Sequence, residues 1–301
     1  MIPSIDLEAL RASDPAALEA MREAATGVGF VTVHNTALSG VRVKEVIETY
    51  RAFFKLPEAQ KQRYDMARTG SNRGWGAAGS EQVDPDANPD YKQFFDNGVS
   101  LPSSDPRCEM SVYAPNVWPA EPAEFAGVIR SYYNDARDVA MSVLRGVAHS
   151  IGAPRDVFDA GFETPMSLLR GNYYPARPSW AGAKDFGIAT HTDYGCLTLL
   201  ATDGSPGLEV RKRGGGWIPL SADPGTFVIN FGEMMDLWTD GRVRATPHRV
   251  VGGVNERISV PLFFNPSHDT NVAPLGSGKV MMAGEHLAAR YGETYVHLQK
   301  K

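Results

Sequence analysis

Hydrophobic positions along this 301-residue chain change their period once, near residue 167. Before that point apolar side chains recur at spacings of three and four, the signature of helices buried on one face. Asp14-Pro15 supplies an N-cap with proline at the first helical position, and the Ala/Leu/Met-rich run behind it predicts a helix to Ala25, stopped by Gly27. Residues 1–10 read as a short strand and turn, and Gly29–Val33 as a strand. Val43, Val46, Ile47, Tyr50 and Phe54 place a second helix over Val41–Phe54, which Pro57 ends. Residues 65–120 are rich in Asn, Gly, Asp and Pro and read as loops, interrupted by a strand over Tyr91–Gly98. From Pro122 to Ile151 a broad apolar stripe predicts one helix of about 45 Å, long enough to serve as a spine under a sheet, with Gly152 as its stop.

From Ser167 onward the period is two. Strand-like runs cover Ser167–Tyr174, Leu197–Ala201, Leu208–Arg211, Trp217–Leu220, Thr226–Phe231 and Ile258–Phe264. Turn signals separate them, among them Asp203-Gly204-Ser205-Pro206-Gly207, Gly214-Gly215-Gly216 and Asp223-Pro224-Gly225. Short strands so punctuated read as a sandwich or jelly roll. A late helix over Ala283–Tyr291 and a polar tail complete the pattern, and no internal repeat or linker divides it.

Composition is that of an ordinary globular protein, 43% hydrophobic and 22% charged, so a large core is expected without covalent staples. The net charge of −5 argues against nucleic acid or an anionic membrane as the main partner. No 18-residue apolar run predicts a membrane span, and the first residues lack the basic and apolar regions of a secretory signal. The two cysteines, Cys108 and Cys196, make no disulfide framework, and a reducing cytoplasm is expected. The expected partner is a small-molecule substrate, with no obligate protein partner evident.

The chemistry concentrates between His191 and Ser259. His191 and Asp193, two apart on an extended segment, point to one face, as do Arg257 and Ser259. His248 lies on a distant segment nine residues before Arg257. Two imidazoles and one carboxylate are the ligand set of a non-haem Fe(II) site that keeps coordination positions open. Cys196 is not expected to be a ligand, because its odd offset from Asp193 turns it to the opposite face. His149, on the long helix, has no partner at metal spacing and reads as structural.

These residues sit among others in a fixed order: Ile2-Pro3-Ser4-Ile5-Asp6-Leu7, Gly29-Phe30-Val31-Thr32-Val33, Asn72-Arg73-Gly74-Trp75, Asn172-Tyr173-Tyr174-Pro175, His191-Thr192-Asp193-Tyr194-Gly195, Pro247-His248-Arg249-Val250 and Arg257-Ile258-Ser259. In that order the chain resembles the isopenicillin-N-synthase-like branch of the Fe(II)/2-oxoglutarate oxygenases. The implied fold is mainly β with helices: a double-stranded β-helix core (jelly-roll, cupin-like) over 165–270, buttressed by a helix-rich part over 1–160, in one domain spanning 1–301. The resemblance implies Fe(II) held by His191, Asp193 and His248, with 2-oxoglutarate and O2 as cosubstrates. Arg257 offers the fixed cation for the distal carboxylate of 2-oxoglutarate and Ser259 a hydroxyl, while Asn172 and Tyr174 contact the oxoacid or frame its pocket. The implied reaction oxidises an unactivated C–H bond of a small molecule and releases succinate and CO2.

Substrate chemistry is less legible. Arg170, Trp75 and Phe264 are the leading pocket candidates, with Arg73, Phe94, Tyr194 and Trp238 behind them. Arg170 shares a strand face with Asn172 and Tyr174, and either grips a substrate group or joins a buried ion pair, with Asp236 and Glu233 as possible partners. Trp75 reads equally as a cavity mouth or an anchored surface residue. Two departures fall in loops, His34-Asn35-Thr36 and Ala176-Arg177-Pro178. An oxidase of the isopenicillin N synthase type, which uses no 2-oxoglutarate, stays open, as does a non-catalytic β-sandwich binding protein that retains a metal site.

Overall fold

The computed structural model describes residues 2–294. Its elements run β1 (Ser4–Asp6), α1 (Leu7–Arg11), α2 (Pro15–Glu23), β2 (Phe30–His34), α3 (Gly40–Phe54), α4 (Glu58–Lys61), α5 (Met66–Thr69), β3 (Gly74–Gly76), β4 (Gln93–Gly98) and α6 (Phe125–Ser150). Then follow β5 (Leu168–Tyr174), β6 (Ile188–His191), β7 (Leu197–Thr202), β8 (Leu208–Arg211), β9 (Trp217–Leu220), β10 (Phe227–Phe231), α7 (Glu233–Trp238), β11 (His248–Val250), β12 (Arg257–Phe264) and α8 (Ala283–Thr294). The 26-residue α6 ends at Ser150 and strands predominate from β5 onward, although β1 to β4 precede it.

The strands make a large sheet in the order β1-β2-β10-β7-β12-β5-β4-β3 and a small one in the order β6-β11-β8-β9. Side-chain alternation gives the large sheet two different faces. On β12, Ile258, Val260, Leu262 and Phe264 join the main core with α3 and α6, while Arg257, Ser259 and Phe263 line an interior cavity on the opposite face. On the cavity side, Phe30, Tyr174 and Val228 of the large sheet pack with Leu208, Val210 and Val250 of the small one. The result is a jelly-roll sandwich, one of whose sheets is also covered by helices. Both faces of β12 are buried, so a strand with charged and hydroxyl side chains still reads as almost wholly apolar.

Several expectations need correction. Residues 7–11 form α1 instead of a turn, because Asp6 accepts the Glu8 and Ala9 amides and caps it. The helix predicted to stop at Gly27 continues as a π-helical turn to Gly29, whose φ of +71° ends it. A side chain at Gly29 would lie 2.4 Å from Thr246 Oγ1, so the close approach also demands glycine. The loop-rich 65–120 stretch contains α5 and β3, and the strand expected from Tyr91 starts at Gln93. Neither β6 nor β11 was among the strand-like runs; each has four residues or fewer. The six-residue α7 was also missed, since it leaves β10 directly through Gly232. The polar tail lies outside the described residues. Among the described residues, no helix is long and apolar enough to cross a membrane.

Candidate metal centre

The small sheet brings the two imidazoles together. His191 ends β6, His248 opens β11, and they are direct antiparallel partners. Each ring's Nδ1 faces a backbone carbonyl two residues back, Ala189 O at 2.9 Å and Thr246 O at 3.1 Å. A carbonyl only accepts, so Nδ1 carries the proton and Nε2 presents a lone pair. Burial pushes the His191 imidazole below its usual pKa despite Asp193 beside it. Burial, then the neighbouring His191, takes His248 down to about 4. Both rings are thus neutral at pH 7, the form a metal needs.

Asp193 lies just beyond the end of β6, so the expected shared strand face is replaced by a turn. Its backbone is held by the start of α7: Glu233 N donates to Asp193 O at 2.8 Å and Gly232 N to Cys196 O at 3.0 Å. A Cβ at Gly232 would stand 2.6 Å from Asp193 O, so this docking needs the bare backbone. The carboxylate is divided between two tasks. Oδ2 accepts Asn230 Nδ2 at 2.7 Å and the Thr198 hydroxyl, while Oδ1 sits 3.7 Å from Nε2 of both histidines. Burial works against ionisation, but the histidines and these two donors outweigh it and hold Asp193 below the ordinary carboxylate range. His191, Asp193 and His248 thus offer three ligand atoms within 4.8 Å of one another. With both imidazoles neutral, three electron-rich atoms converge with no proton between them, an arrangement suited to a cation. Thr198 and Asn230 were missed by sequence reasoning. The signal for Asn230 was present, as the one amide in the apolar run Phe227–Phe231.

Two chambers meet at these residues. The first, between the sheets, runs past Asn172, Leu208, Asn230 and Val250 to Arg257 and Ser259. Arg257 stands opposite Tyr174 and Ser259 opposite Asn172 on paired strands. The Arg257 guanidinium lies 5.0 Å from the centre of the Tyr174 ring, so Tyr174 supports it with a face instead of a hydroxyl. Arg257 is only 4% exposed, and its Nε and one terminal nitrogen have no partner; Asn172 Oδ1 is likewise unpartnered. A buried guanidinium with no carboxylate beside it is costly unless an anion joins it.

The second chamber is lined by Val83, Leu168, Ile188, Tyr194, Phe263 and Leu287, with Glu81, Lys92 and Arg170 on one wall. Arg170 is not free to hold a ligand. It grips both oxygens of Asp96 at 2.7 Å and both of Glu81 at 2.8 and 3.0 Å, and stacks 4.1 Å over Phe94. The predicted partners are elsewhere: Asp236 accepts Ala245 N, and Glu233 pairs with Arg290. Lys92 pairs with Glu81 and Asp90. Burial opposes the charge on Glu81, but Arg170 and Lys92 overcome it and hold the carboxyl down to about 2. Asp90, where burial dominates, is lifted to about 6.

Trp75 and Phe264, expected in the substrate pocket, are in the main core. Trp75 donates to Gln93 Oε1 at 3.1 Å, and Phe264 stacks on Phe162 at 4.5 Å. Phe263 faces the chamber instead, as the alternation that aligned Arg257 with Ser259 requires. Trp238 packs on Phe158, and Arg73 donates to the Asn72 and Val112 carbonyls. Cys196 is buried in the main core, away from the ligand atoms. Cys196→Ser should therefore keep full iron stoichiometry by metal analysis; loss of iron with the fold retained would contradict this placement.

Two family models match the chain: a non-haem dioxygenase N-terminal model over residues 2–121 and the 2OG-Fe(II) oxygenase superfamily over residues 165–266. Homoarginine-6-hydroxylase of Glycine max is 31% identical, over 97% of this chain and 94% of its own. A full-length Neurospora crassa protein solved with alpha-KG superposes with a TM-score of 0.83 at 25% identity, covering 96% of this chain and 95% of that one. The structure of JOX2 with 2OG, Fe and JA has a TM-score of 0.81 at 27% identity, covering 96% and 85%.

Proposed function

Because the chain belongs to the 2OG-Fe(II) oxygenase superfamily, in its isopenicillin-N-synthase-like branch, we propose that His191, Asp193 and His248 hold its Fe(II) and that Arg257 anchors 2-oxoglutarate. The enzyme is a non-haem Fe(II)/2-oxoglutarate-dependent dioxygenase. With iron, 2-oxoglutarate and O2 bound, the centre supplies C–H oxidation coupled to decarboxylation of 2-oxoglutarate to succinate. The observation that carries the residue assignment is Arg257, a buried cation that has no carboxylate partner among the described residues and lines the same chamber as the triad. The family membership supports this reading over an oxidase that dispenses with 2-oxoglutarate, and the intact donor set speaks against a non-catalytic binding protein.

Each residue then has a defined task. His191 and His248 present neutral Nε2 lone pairs, and Asp193 presents Oδ1 while Thr198 and Asn230 keep Oδ2 turned away. Arg257 gives 2-oxoglutarate a planar pair of donors, Ser259 stands beside it, and Asn172 and Tyr174 shape the wall. The second chamber orients the substrate. Its charged wall is internally paired and the rest is mostly apolar and aromatic, with the amides of Asn172 and Asn265 as neutral polar groups, which supports a small, uncharged substrate for this chain. Free thiols and a ferrous ion support a cytoplasmic setting, with residues 1–301 acting as one oxygenase domain.

The test is a titration of the anaerobic Fe(II) protein with 2-oxoglutarate, followed by succinate analysis after O2 is admitted. Chelation should produce a weak visible charge-transfer band. Arg257→Ala removes a charge-assisted contact worth about 1.5–3 kcal/mol and should raise the apparent KM for 2-oxoglutarate roughly 10- to 150-fold, leaving iron affinity little changed. Arg257→Lys keeps the charge without the fork and should fall between. A wild-type KM in Arg257→Ala would sink the cosubstrate assignment.

A further inference from the structure

We propose that the cleft between the end of β4 and α6, on the side of the large sheet away from the metal centre, is a second binding site that takes a small oxyanion, such as phosphate or a carboxylate. The cleft is lined by Asn97, Ser100, Asn116, Arg130 and Arg137, with Trp118 as one wall, and no acidic residue lines it. Arg130 and Arg137 are seven apart on α6, about two turns, so they share a face. Neither guanidinium makes an ion pair or a hydrogen bond among the described residues. Arg130 rests against Trp118 at 5.1 Å and Arg137 against Tyr133 at 5.7 Å, and Arg137 Nε is buried without a partner.

The second observation is Asn97. It is 1% exposed, lines the cleft, and has no partner on either end of its amide. Buried amides are almost always hydrogen-bonded, so such a group marks where a ligand's atoms fit. Its Nδ2 and the Arg137 Nε are donors that an oxyanion satisfies together, and Arg130 adds charge at the mouth. The wall behind is rigid: Asn116 accepts Gly98 N at 2.7 Å and donates to Gly98 O at 2.8 Å and Ser100 Oγ at 3.0 Å. Two guanidiniums without an ion pair among the described residues and a buried, unpartnered amide line one cleft, in a chain of net charge −5. Successive residues of β4 point to opposite faces, so Asp96 grips Arg170 in the substrate-side chamber while Asn97 faces this cleft. The site is therefore separate from the Arg257 chamber.

The experiment is isothermal titration of the Fe(II)-loaded protein, held anaerobic and saturated with 2-oxoglutarate so that the Arg257 chamber is filled, with inorganic phosphate, and in a second arm with acetate, at fixed ionic strength against chloride. Wild type and Arg257→Ala should bind one equivalent alike, because the anion does not use the cosubstrate chamber. The Arg130→Gln variant, at an exposed position, and the Arg137→Gln variant, at a half-buried one, should each weaken binding at least tenfold while leaving the KM for 2-oxoglutarate unchanged. Stronger binding in the phosphate arm than in the acetate arm identifies a phosphate-type ligand; the reverse identifies a carboxylate. No saturable binding by either anion, or binding that survives Arg137→Gln and disappears in Arg257→Ala, overturns the proposal.

Discussion

His191→Ala is expected to abolish iron binding and turnover while the protein stays folded. Among the described residues, the imidazole is one of three candidate ligand atoms that converge, and its loss leaves one ring and one carboxylate oxygen. Among the described residues the nearest candidates are committed: Cys196 is in the opposite core, where burial raises its thiol pKa, and Glu233 is held by Thr192 and Arg290. The fold does not depend on the ring, because the main core of helices and the large sheet is built elsewhere. Metal analysis after anaerobic reconstitution, circular dichroism and succinate formation together test the claim. A variant that binds a full equivalent of iron and turns over at the wild-type rate would remove His191 from the site.

The second large effect is on stability and comes from Asp96→Ala. Asp96 and Arg170 are directly paired across β4 and β5, and both side chains are almost wholly buried. Burial raises the Asp96 pKa, and the Arg170 guanidinium with its two N–H bonds pulls the other way. Removing one partner of such a pair typically costs 3–5 kcal/mol, and because Glu81 still holds one guanidinium nitrogen we expect about 3 kcal/mol. Chemical denaturation should show that loss, with iron stoichiometry unchanged under native conditions. A loss below about 1 kcal/mol would mean that the guanidinium is satisfied without Asp96. Stability and metal content thus separate this variant from His191→Ala.

Much of the centre was legible because alternation and spacing act locally. Leu208–Arg211 and Trp217–Leu220 have the strand boundaries their patterns give, and the residue pairs Arg257/Ser259 and Asn172/Tyr174 share the faces that period two requires. The same rule, applied to Phe264, would have placed Phe263 in the chamber. What could not be read is what depends on distant partners. Glu81 lies in a Gly- and Asp-rich stretch whose sequence says nothing of a buried ion pair, yet it meets Arg170 across 89 residues. Asp193 sits in a turn whose shape is set by α7, and α7 is too short to declare itself by periodicity. Arg170 and Asp96 were a middle case. Each is an inward charge on a strand, but only the pairing of β4 with β5 reveals that they neutralise each other.

The division of labour within Asp193 has a mechanical consequence. Its Oδ2 is tied to Thr198 and Asn230, which belong to the large sheet, while its Oδ1 looks toward imidazoles carried by the small one. On the proposed assignment, an ion held by Oδ1 and the two rings would rivet both layers of the sandwich together. Binding free energy at the centre becomes clamping energy between layers, amounting to about 2.7 kcal/mol when free metal stands at a hundred times its dissociation constant. Removing iron should loosen the short strands β6 and β11 first, because they have few backbone bonds of their own. Their amide protons should exchange faster in the apo protein, while those of β7 and β10, braced by the helical core, keep their protection.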